Sequence, residues 1–403
     1  MANARPLIAP ASEWQSQLVA LSGGGITHRG AGRLYLRFLS SLLSGLVLAC
    51  DMVAPLPQAQ RCIMQMRGGT ASPLSKPMRT STSMAGLGRM NNLVKLLERI
   101  ASQKPPVSGA YLEAGVWRGG MSILATAAMQ QFGLEDRKVY LCDSFAGLPM
   151  PRKGSLGPGE TFYALRMNGT LAVGEMAVLA NFDRFSVPRT QVSTVPGYFV
   201  HSLGPLRDRL LRSGEKLALL RLDGDIYDST ADILYNLYDL LSVGGYLIVD
   251  DFGWRDGVRQ QALKKGLGNS TTLRATFGAK NALLDFRHLH GLEDGQHVMV
   301  DIDGTGAYFR KGRDVPLQRE RYLSALRTGN YLPLRPPKPI TMQAFATLME
   351  GWERHSPAST EETKRIHSLR RSFHMSSFDP VCKELCQPSS SASRGVAANT
   401  NEE

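Results

Sequence analysis

Short apolar runs alternate with longer helical stretches along the chain from Ser83 onward. An apolar run of about four to eight residues between turn-forming residues is typical of a buried strand, and the intervening segments are long enough for crossover helices. This alternation predicts an α/β fold with a doubly wound, mostly parallel sheet. The predicted parallel strands are GAYLEAGV, KVYLCDSF, TQVSTVPG, KLALLRLDGD and GGYLIVDDF.

Two further runs, HVMVDID and AYFRK, are joined by GTG at residues 304–306. They predict an antiparallel hairpin that closes the sheet as its sixth and seventh strands. Beyond Gly312 the periodicity weakens, and the terminal CQPSSSASRGVAANTNEE is of low complexity. The predicted organisation is a basic, disordered leader (1–32), an α/β domain (33–312) with an insertion at about 259–280, and a C-terminal extension (313–403) that carries the low-complexity tail.

The charge of the chain is positive but uneven. Lys and Arg number 47 against 35 Asp and Glu, a net charge of +12 over 403 residues. Acidic residues are scarce before Met90. The basic residues there form no compact cluster with interleaved aromatics, so the sequence does not predict nucleic-acid binding.

Localisation rests on the cysteines and on one apolar segment. Five cysteines form an odd number without a regular framework, which argues against a disulfide-built secreted fold and favours a cytoplasmic protein. The segment LYLRFLSSLLSGLVLAC (34–50) carries Arg37 and is shorter than the roughly 20 residues that a bilayer requires. It predicts a buried amphipathic helix rather than a membrane span, with an anchor as the alternative. An organelle transit peptide is left open by the acid-poor leader.

The first two strands end in residues suited to a nucleoside-bearing ligand, because ligands bind at the carboxyl ends of parallel strands. EAGVWRGG (113–120) contains glycines that let the backbone approach a ligand and open the next helix. Its Gly-x-x-x-Gly-Gly pattern differs from G-x-G-x-x-G, which disfavours a nicotinamide cofactor. Asp143 ends the second strand, where a carboxylate can accept hydrogen bonds from both hydroxyls of a ribose. The alternative for Asp143 is a helix cap.

Four carboxylates follow the fourth and fifth strands. Asp223 and Asp225 flank Gly224, and Asp250 and Asp251 end GGYLIVDDF. Each alone could form a turn or cap a helix. If the two strands are neighbours, Asp223, Asp250 and Asp251 converge and repel one another unless a cation neutralises them. Hard oxygen ligands suit Mg²⁺, so the sequence predicts a magnesium site.

Several long motifs carry a resemblance to a known family. YLEAGVWRGG, DSFAGLP, PGYF, LRLDGDIYDST and GGYLIVDDF occur in the order and approximate spacing of the macrocin O-methyltransferase family, the TylF type. The resemblance covers roughly residues 33–311, and RLYLRFLSSLL resembles the family's N-terminal helix. It implies a Rossmann-like class I methyltransferase fold with N-terminal helices. It also implies S-adenosylmethionine- and Mg²⁺-dependent methylation of a hydroxyl on a sugar or similar polyhydroxylated small molecule.

The resemblance implies roles for individual residues. Asp223, Asp250 and Asp251 would ligate the metal, and Asp225 would be the general base. STSMAG (81–86) resembles a family stretch that also touches the cofactor. The residues expected to line S-adenosylmethionine are Met84, Glu113, Gly115, Gly119, Asp143, Ser144 and Phe145.

Two departures leave the acceptor open. Where the family carries a polar Lys-Asp-Thr run after the third strand, this chain has GYFVHSL with His201 and Ser202. The insertion follows the fifth strand, next to the expected active site. Three histidines, His201, His288 and His290, are expected at the surface or in packing.

The expected chemistry needs no covalent intermediate. Mg²⁺ would hold two acceptor oxygens and acidify the reacting hydroxyl, and Asp225 would take its proton. The alternatives are a non-catalytic scaffold and a NAD- or nucleotide-binding Rossmann-like protein. The expected partner is a glycoside-like small molecule, with no nucleic acid or membrane span, and a homo-oligomer is left open.

Overall fold

The computed structural model describes residues 11–13, 16, 27–45, 81–150, 152, 171–252, 278–303 and 306–328. Its sheet has seven strands in the order β3-β2-β1-β4-β5-β7-β6, in which the first five are parallel and β7 and β6 are antiparallel. The predicted fold is therefore confirmed. The strands are β1 (Ala110–Ala114), β2 (Val139–Asp143), β3 (Val192–Pro196), β4 (Leu217–Leu222), β5 (Leu241–Val249), β6 (Val300–Asp301) and β7 (Ala307–Arg310).

Helices cover both faces of this sheet. They are α1 (His28–Leu43), α2 (Leu87–Ser102), α3 (Gly120–Gln131), α4 (Glu175–Arg184), α5 (Phe199–Ser213), α6 (Tyr227–Leu237), α7 (Gly278–Leu289) and α8 (Arg319–Thr328), with a 3₁₀ turn at Tyr238–Leu240.

Successive residues of the buried strands point into two separate cores. Leu219 of β4 packs with α1, α2, α3 and α4, whereas the next residue, Leu220, packs with α5, α6 and α7. All six residues of β4 (LALLRL) are buried. A strand covered on both faces reads as a continuous apolar run, as this one does except at Arg221.

Helix α1 is the amphipathic helix expected near the N-terminus. Thr27 caps it by accepting the Gly30 amide at 3.1 Å. Leu36, Leu39 and Leu43 are buried in the core. Among the helices in the described ranges, none has the length and apolar character needed to span a membrane.

The described chain continues past the predicted domain boundary at residue 312. Helix α8 is attached to α6 through Tyr322, which donates its hydroxyl to Asp232 at 2.5 Å and stacks on Tyr235 at 5.1 Å. The leader up to residue 26 (apart from residues 11–13 and 16), most of the 259–280 insertion and the low-complexity tail lie outside the described residues. The domain limits therefore stay a prediction.

Gly115 joins the ends of β1 and β4. Its φ is +93°, and a Cβ there would lie 1.9 Å from the Asp223 carbonyl oxygen. We expect Gly115→Ala to lower the free energy of unfolding by at least about 3 kcal/mol, because the clash involves backbone. Urea denaturation measures this loss.

Gly133→Ala is the matched control for this substitution. Gly133 also has positive φ, +71°, but a Cβ there would meet nothing within 4 Å. It should cost only about 1 kcal/mol, the strain of a left-handed residue. Equal losses in the two variants would contradict the role given to close packing at Gly115.

Candidate active site

The glycine turn between β1 and α3 lies against the 81–86 segment. Gly119 has φ +84° and precedes the first residue of α3. The Gly120 amide donates to the Thr82 carbonyl at 3.1 Å, and a Cβ on Gly120 would lie 2.6 Å from that oxygen. Met84 in this segment is 40% exposed. The turn and the STSMAG segment are therefore packed together, and the contact of Met84 with the cofactor stays a prediction.

Asp143 ties the glycine turn to the loop after β2. Its Oδ2 accepts the amides of Val116 at 2.7 Å and Trp117 at 3.3 Å, and its Oδ1 accepts the Phe145 amide at 2.8 Å. Burial raises the pKa of Asp143, and these backbone amides oppose the rise. In this structure Asp143 braces two loops rather than capping a helix, and its contact with a ribose stays a prediction.

Strained backbone collects at the same edge of the sheet. Of the four described non-glycine residues with positive φ, three follow β1, β2 and β4: Trp117 (47°), Phe145 (54°) and Asp225 (57°). Ser144 holds the turn around Phe145 by donating to the Gly147 carbonyl at 2.6 Å. Such strain concentrates at functional sites because surrounding contacts must maintain it.

Glu113 lies beneath the glycine turn and is 1% exposed. Its Oε1 accepts Arg221 Nη1 at 2.7 Å, and its Oε2 accepts the hydroxyls of Tyr111, at 3.1 Å, and Ser122. Burial raises the pKa of Glu113, and the Arg221 charge opposes that rise. Both oxygens are thus bound by the chain's own groups. The predicted contact of Glu113 with the cofactor stays a prediction.

Three carboxylates converge beyond the ends of β4 and β5. One oxygen each of Asp223, Asp225 and Asp251 lies within 4.8 Å of the other two, and all three residues are partly exposed. The tight turn after β4, in which the Ile226 amide donates to the Gly224 carbonyl at 2.5 Å, brings the first two together. The left-handed φ of Asp225 suits this residue type, since Asp tolerates that conformation better than most. We refer to these three carboxylates as the acidic cluster.

Asp250 is not a member of the acidic cluster and is bound by two arginines. Its Oδ1 accepts Arg221 Nη2 at 2.6 Å, and its Oδ2 accepts Arg89 Nη1. Arg221 Nη1 also binds Asp223 at 2.9 Å, so a guanidinium bridges two carboxylates that the sequence predicts to converge around a cation. The metal ligands expected from the sequence and the acidic cluster share Asp223 and Asp251. They differ in that the first set contains Asp250 and the second contains Asp225.

Burial and the nearby charges shift the pKa values of two carboxylates at this edge in opposite directions. Burial raises the pKa of Asp250, but the guanidiniums of Arg221 and Arg89 outweigh burial and hold it below its usual value. Burial, and then the neighbouring Asp250 carboxylate, raise the pKa of Asp223 well above its usual value, and Arg221 only partly opposes them. A further cation beside Asp223 would therefore favour its ionised form.

Comparison with known proteins places the chain in a family. The sequence model of Macrocin-O-methyltransferase (TylF) matches residues 58–265. The chain belongs to the TylF macrocin-O-methyltransferase family. It is a class I O-methyltransferase that uses S-adenosylmethionine.

Two curated relatives and one solved structure show the extent of the similarity. The 8-demethyl-8-(2,3-dimethoxy-alpha-L-rhamnosyl)-tetracenomycin-C 4'-O-methyltransferase of Streptomyces olivaceus is 34% identical over 229 residues, 57% of this chain and 75% of that enzyme. Mycinamicin III 3''-O-methyltransferase of Micromonospora griseorubida is 30% identical over 237 residues, 57% and 78% of the two chains. The structure of the O-methyltransferase NovP is 29% identical with a TM-score of 0.54, and covers 70% of this chain and 100% of its own.

Sequence reasoning gave no role to two arginines of this TylF enzyme. Arg221 carried a signal, because it is the one charged residue in the apolar run LALLRL. Arg89 carried none, since its partners Asp250 and Asp303 lie 161 and 214 residues away in the chain. Contacts at such separations depend on the folded topology.

The histidines have the surface and packing positions that were predicted. His201 is exposed, His288 pairs with Glu293 at 3.1 Å, and His290 is buried against Phe286 at 4.2 Å between ring centroids. Ser202 turns its hydroxyl back to the Gly197 carbonyl at 3.0 Å, within the loop that opens α5.

Asp143→Ala should weaken S-adenosylmethionine binding by about 1 to 3 kcal/mol, the range for lost hydrogen bonds to a charged group. Because Asp143 braces two loops, the melting temperature of the ligand-free enzyme should fall as well. Calorimetric titration and thermal unfolding measure the two effects. Asp136→Ala, an exposed acid before the opposite end of β2, should change neither. Weaker binding with an unchanged melting temperature would reject the bracing role.

Proposed function

We propose that this enzyme methylates a sugar hydroxyl of a glycosylated small molecule in a Mg²⁺-dependent reaction. The observation that carries the proposal is the acidic cluster, which lies beyond β4, directly beside the glycine turn. Gly115 and Asp223 connect the two, since the Gly115 Cα packs against the Asp223 carbonyl. A methyl donor on the turn and an acceptor on the cluster would therefore be neighbours.

The names of the relatives support the acceptor class. One acts at the 4' oxygen of a rhamnosyl tetracenomycin and another at the 3'' oxygen of mycinamicin III. Vicinal sugar oxygens are hard ligands of the kind that Mg²⁺ accepts together with carboxylates. The proposed acceptor is accordingly a sugar with two neighbouring oxygens.

The donor set fits a hard divalent cation. Asp223, Asp225 and Asp251 present oxygens within 4.8 Å of one another at a partly exposed position. Asp250, predicted as a ligand from sequence, keeps lone pairs on its arginine-bound oxygens, because each oxygen offers two acceptor positions. When bound, Mg²⁺ would supply positive charge that lowers the pKa of the acceptor hydroxyl. We propose Asp223, Asp250 and Asp251 as its ligands.

We assign the proton transfer to Asp225. This side chain belongs to the acidic cluster, and its backbone is left-handed, with φ +57°. A carboxylate at that position can accept a proton from a hydroxyl held beside Asp223. Methyl transfer then requires only that the acceptor oxygen and the sulfonium methyl are held in line.

The cofactor pocket is proposed from the loops that follow β1 and β2. Its charged member is Asp143, which we assign to the ribose, and the turn glycines would face the methionine portion. Glu113 would act from below through the network that it shares with Arg221. The proposed lining residues are Met84, Gly115, Gly119, Asp143, Ser144 and Phe145.

The enzyme should bind S-adenosylmethionine and S-adenosylhomocysteine but not NAD, because the turn is not a dinucleotide fingerprint. Calorimetric titration with each ligand checks this. Saturable NAD binding without methyl-donor binding would overturn the cofactor assignment.

Transfer of labelled methyl to a panel of deoxyhexosides and glycosylated aglycones should stop on addition of EDTA and return with excess Mg²⁺. Transfer unchanged by EDTA would overturn the metal dependence.

Asp225→Asn separates the base from the ligands. The amide retains the shape but cannot take a proton, so kcat should fall by about 10² to 10⁴, with Mg²⁺ and cofactor affinities nearly unchanged. Asp223→Asn and Asp250→Asn should instead raise the Mg²⁺ concentration needed for half-maximal rate. Steady-state kinetics at varied Mg²⁺ measures both effects.

The same kinetics distinguish the two ligand sets. If Asp225→Asn raises the Mg²⁺ requirement as Asp223→Asn does, while Asp250→Asn leaves it unchanged, the ligands are the acidic cluster and Asp225 is not the base. Near-normal kcat in Asp225→Asn at saturating Mg²⁺ would reduce that residue to a turn former.

A further inference from the structure

Arg221 contacts three carboxylates with one guanidinium. It is 2% exposed in the middle of the sheet, and its nitrogens lie 2.7 Å from Glu113, 2.9 Å from Asp223 and 2.6 Å from Asp250. We propose that Arg221 is a positioning residue of the cation site, which fixes the carboxylates of Asp223 and Asp250 in the orientation that receives the metal. This inference rests on the proposed Mg²⁺ dependence.

The orientation of the guanidinium is determined from both sides. Nη1 is shared by Glu113 and Asp223, and Nη2 holds Asp250. Glu113 is itself held by Tyr111 and by Ser122 on α3. The planar guanidinium, bound at both terminal nitrogens, cannot rotate without breaking an ion pair. The ammonium group of a lysine is a point charge and could rotate freely. The network therefore transmits a fixed geometry from β1 to the acidic cluster.

Arg89 completes the arrangement from α2. It binds the second oxygen of Asp250 and, through Nε at 3.2 Å, Asp303 near the β6–β7 hairpin. Asp250 is thus held at both oxygens, while the Asp223 side chain, which Arg221 binds through Oδ2, is 27% exposed. The two arginines together restrain the orientation of both carboxylates.

Stability alone does not account for a charge at this position. Buried ion pairs often add little to stability compared with apolar residues of similar size, because desolvation offsets the attraction between the charges. The remaining five residues of β4 are apolar and buried. An apolar residue in place of Arg221 would continue that pattern, but it would leave Glu113 and Asp250 without this cation and Asp223 without a fixed orientation.

Arg221→Lys keeps the charge and removes the fork. In enzyme free of S-adenosylmethionine, we expect it to bind Mn²⁺ about 10- to 100-fold more weakly than wild type, the usual loss when a residue that orients metal ligands is changed. The electron paramagnetic resonance signal of free Mn²⁺ measures this affinity without any turnover. The rise in melting temperature caused by saturating Mg²⁺ in wild type should shrink in the variant.

Arg207→Lys is the matched control. Arg207 is a buried arginine on α5 whose two terminal nitrogens bind Asp239 at 2.5 Å each. The substitution should lower the melting temperature but leave Mn²⁺ affinity unchanged. The double variant Arg221→Met/Glu113→Gln removes the buried guanidinium together with the charge of one partner carboxylate. It should fold, yet bind Mn²⁺ as weakly as Arg221→Lys.

The outcomes separate the inference from the proposed function. Wild-type enzyme that binds no Mn²⁺ and gains no stability from Mg²⁺ contradicts the proposed function itself. Wild-type affinity in either Arg221 variant, or tighter binding in the Met variant, makes Arg221 a structural or competing cation and overturns the inference. Failure of both Arg221 variants to fold, while Arg207→Lys folds, would equally assign Arg221 to folding alone.

Discussion

The balance between buried carboxylates and two buried arginines is the interaction on which the candidate active site depends. Glu113 and Asp250 are 1% and 6% exposed, and each would cost several kcal/mol if left ionised without a partner. Arg221 contacts both, and Arg89 supplies the second charge to Asp250. The same guanidinium of Arg221 also reaches Asp223, so the buried network and the acidic cluster share one cation.

The topology of the sheet brings the proposed donor and acceptor regions together. β1 lies between β2 and β4, so the glycine turn, the Asp143 loop and the Asp223–Asp225 turn all begin at adjacent strand ends. The left-handed residues Trp117, Phe145 and Asp225 each belong to one of these loops. The surrounding hydrogen bonds, such as those of Asp143 to three amides, maintain conformations that an isolated loop would leave.

Membership of the family specifies the type of reaction more closely than it specifies the acceptor molecule. In the proposed mechanism the glycine turn and the carboxylates act on groups common to every methyl transfer to a hydroxyl, the sulfonium donor and the acceptor oxygen. The hydroxyl that reacts depends instead on side chains around the acceptor, and at the start of α5 this chain differs from the family pattern. There His201 is exposed, and the Ser202 hydroxyl is used by its own loop.

Local pattern indicated the fold of this protein, and the resemblance of its motifs to a known family indicated the chemical type. Five buried apolar runs with crossover segments predict a parallel sheet, because a strand covered by helices on both faces must be apolar throughout. Glycines and acids at the strand ends indicate the edge of the sheet that binds ligands, because the position of that edge in a parallel sheet follows from chain direction alone. Which carboxylate faces which cation was decided only by the tertiary structure. Asp250 contacts Arg89 across 161 residues of chain, and Arg221 bridges Asp223 and Asp250 through side-chain geometry that no spacing along the sequence encodes.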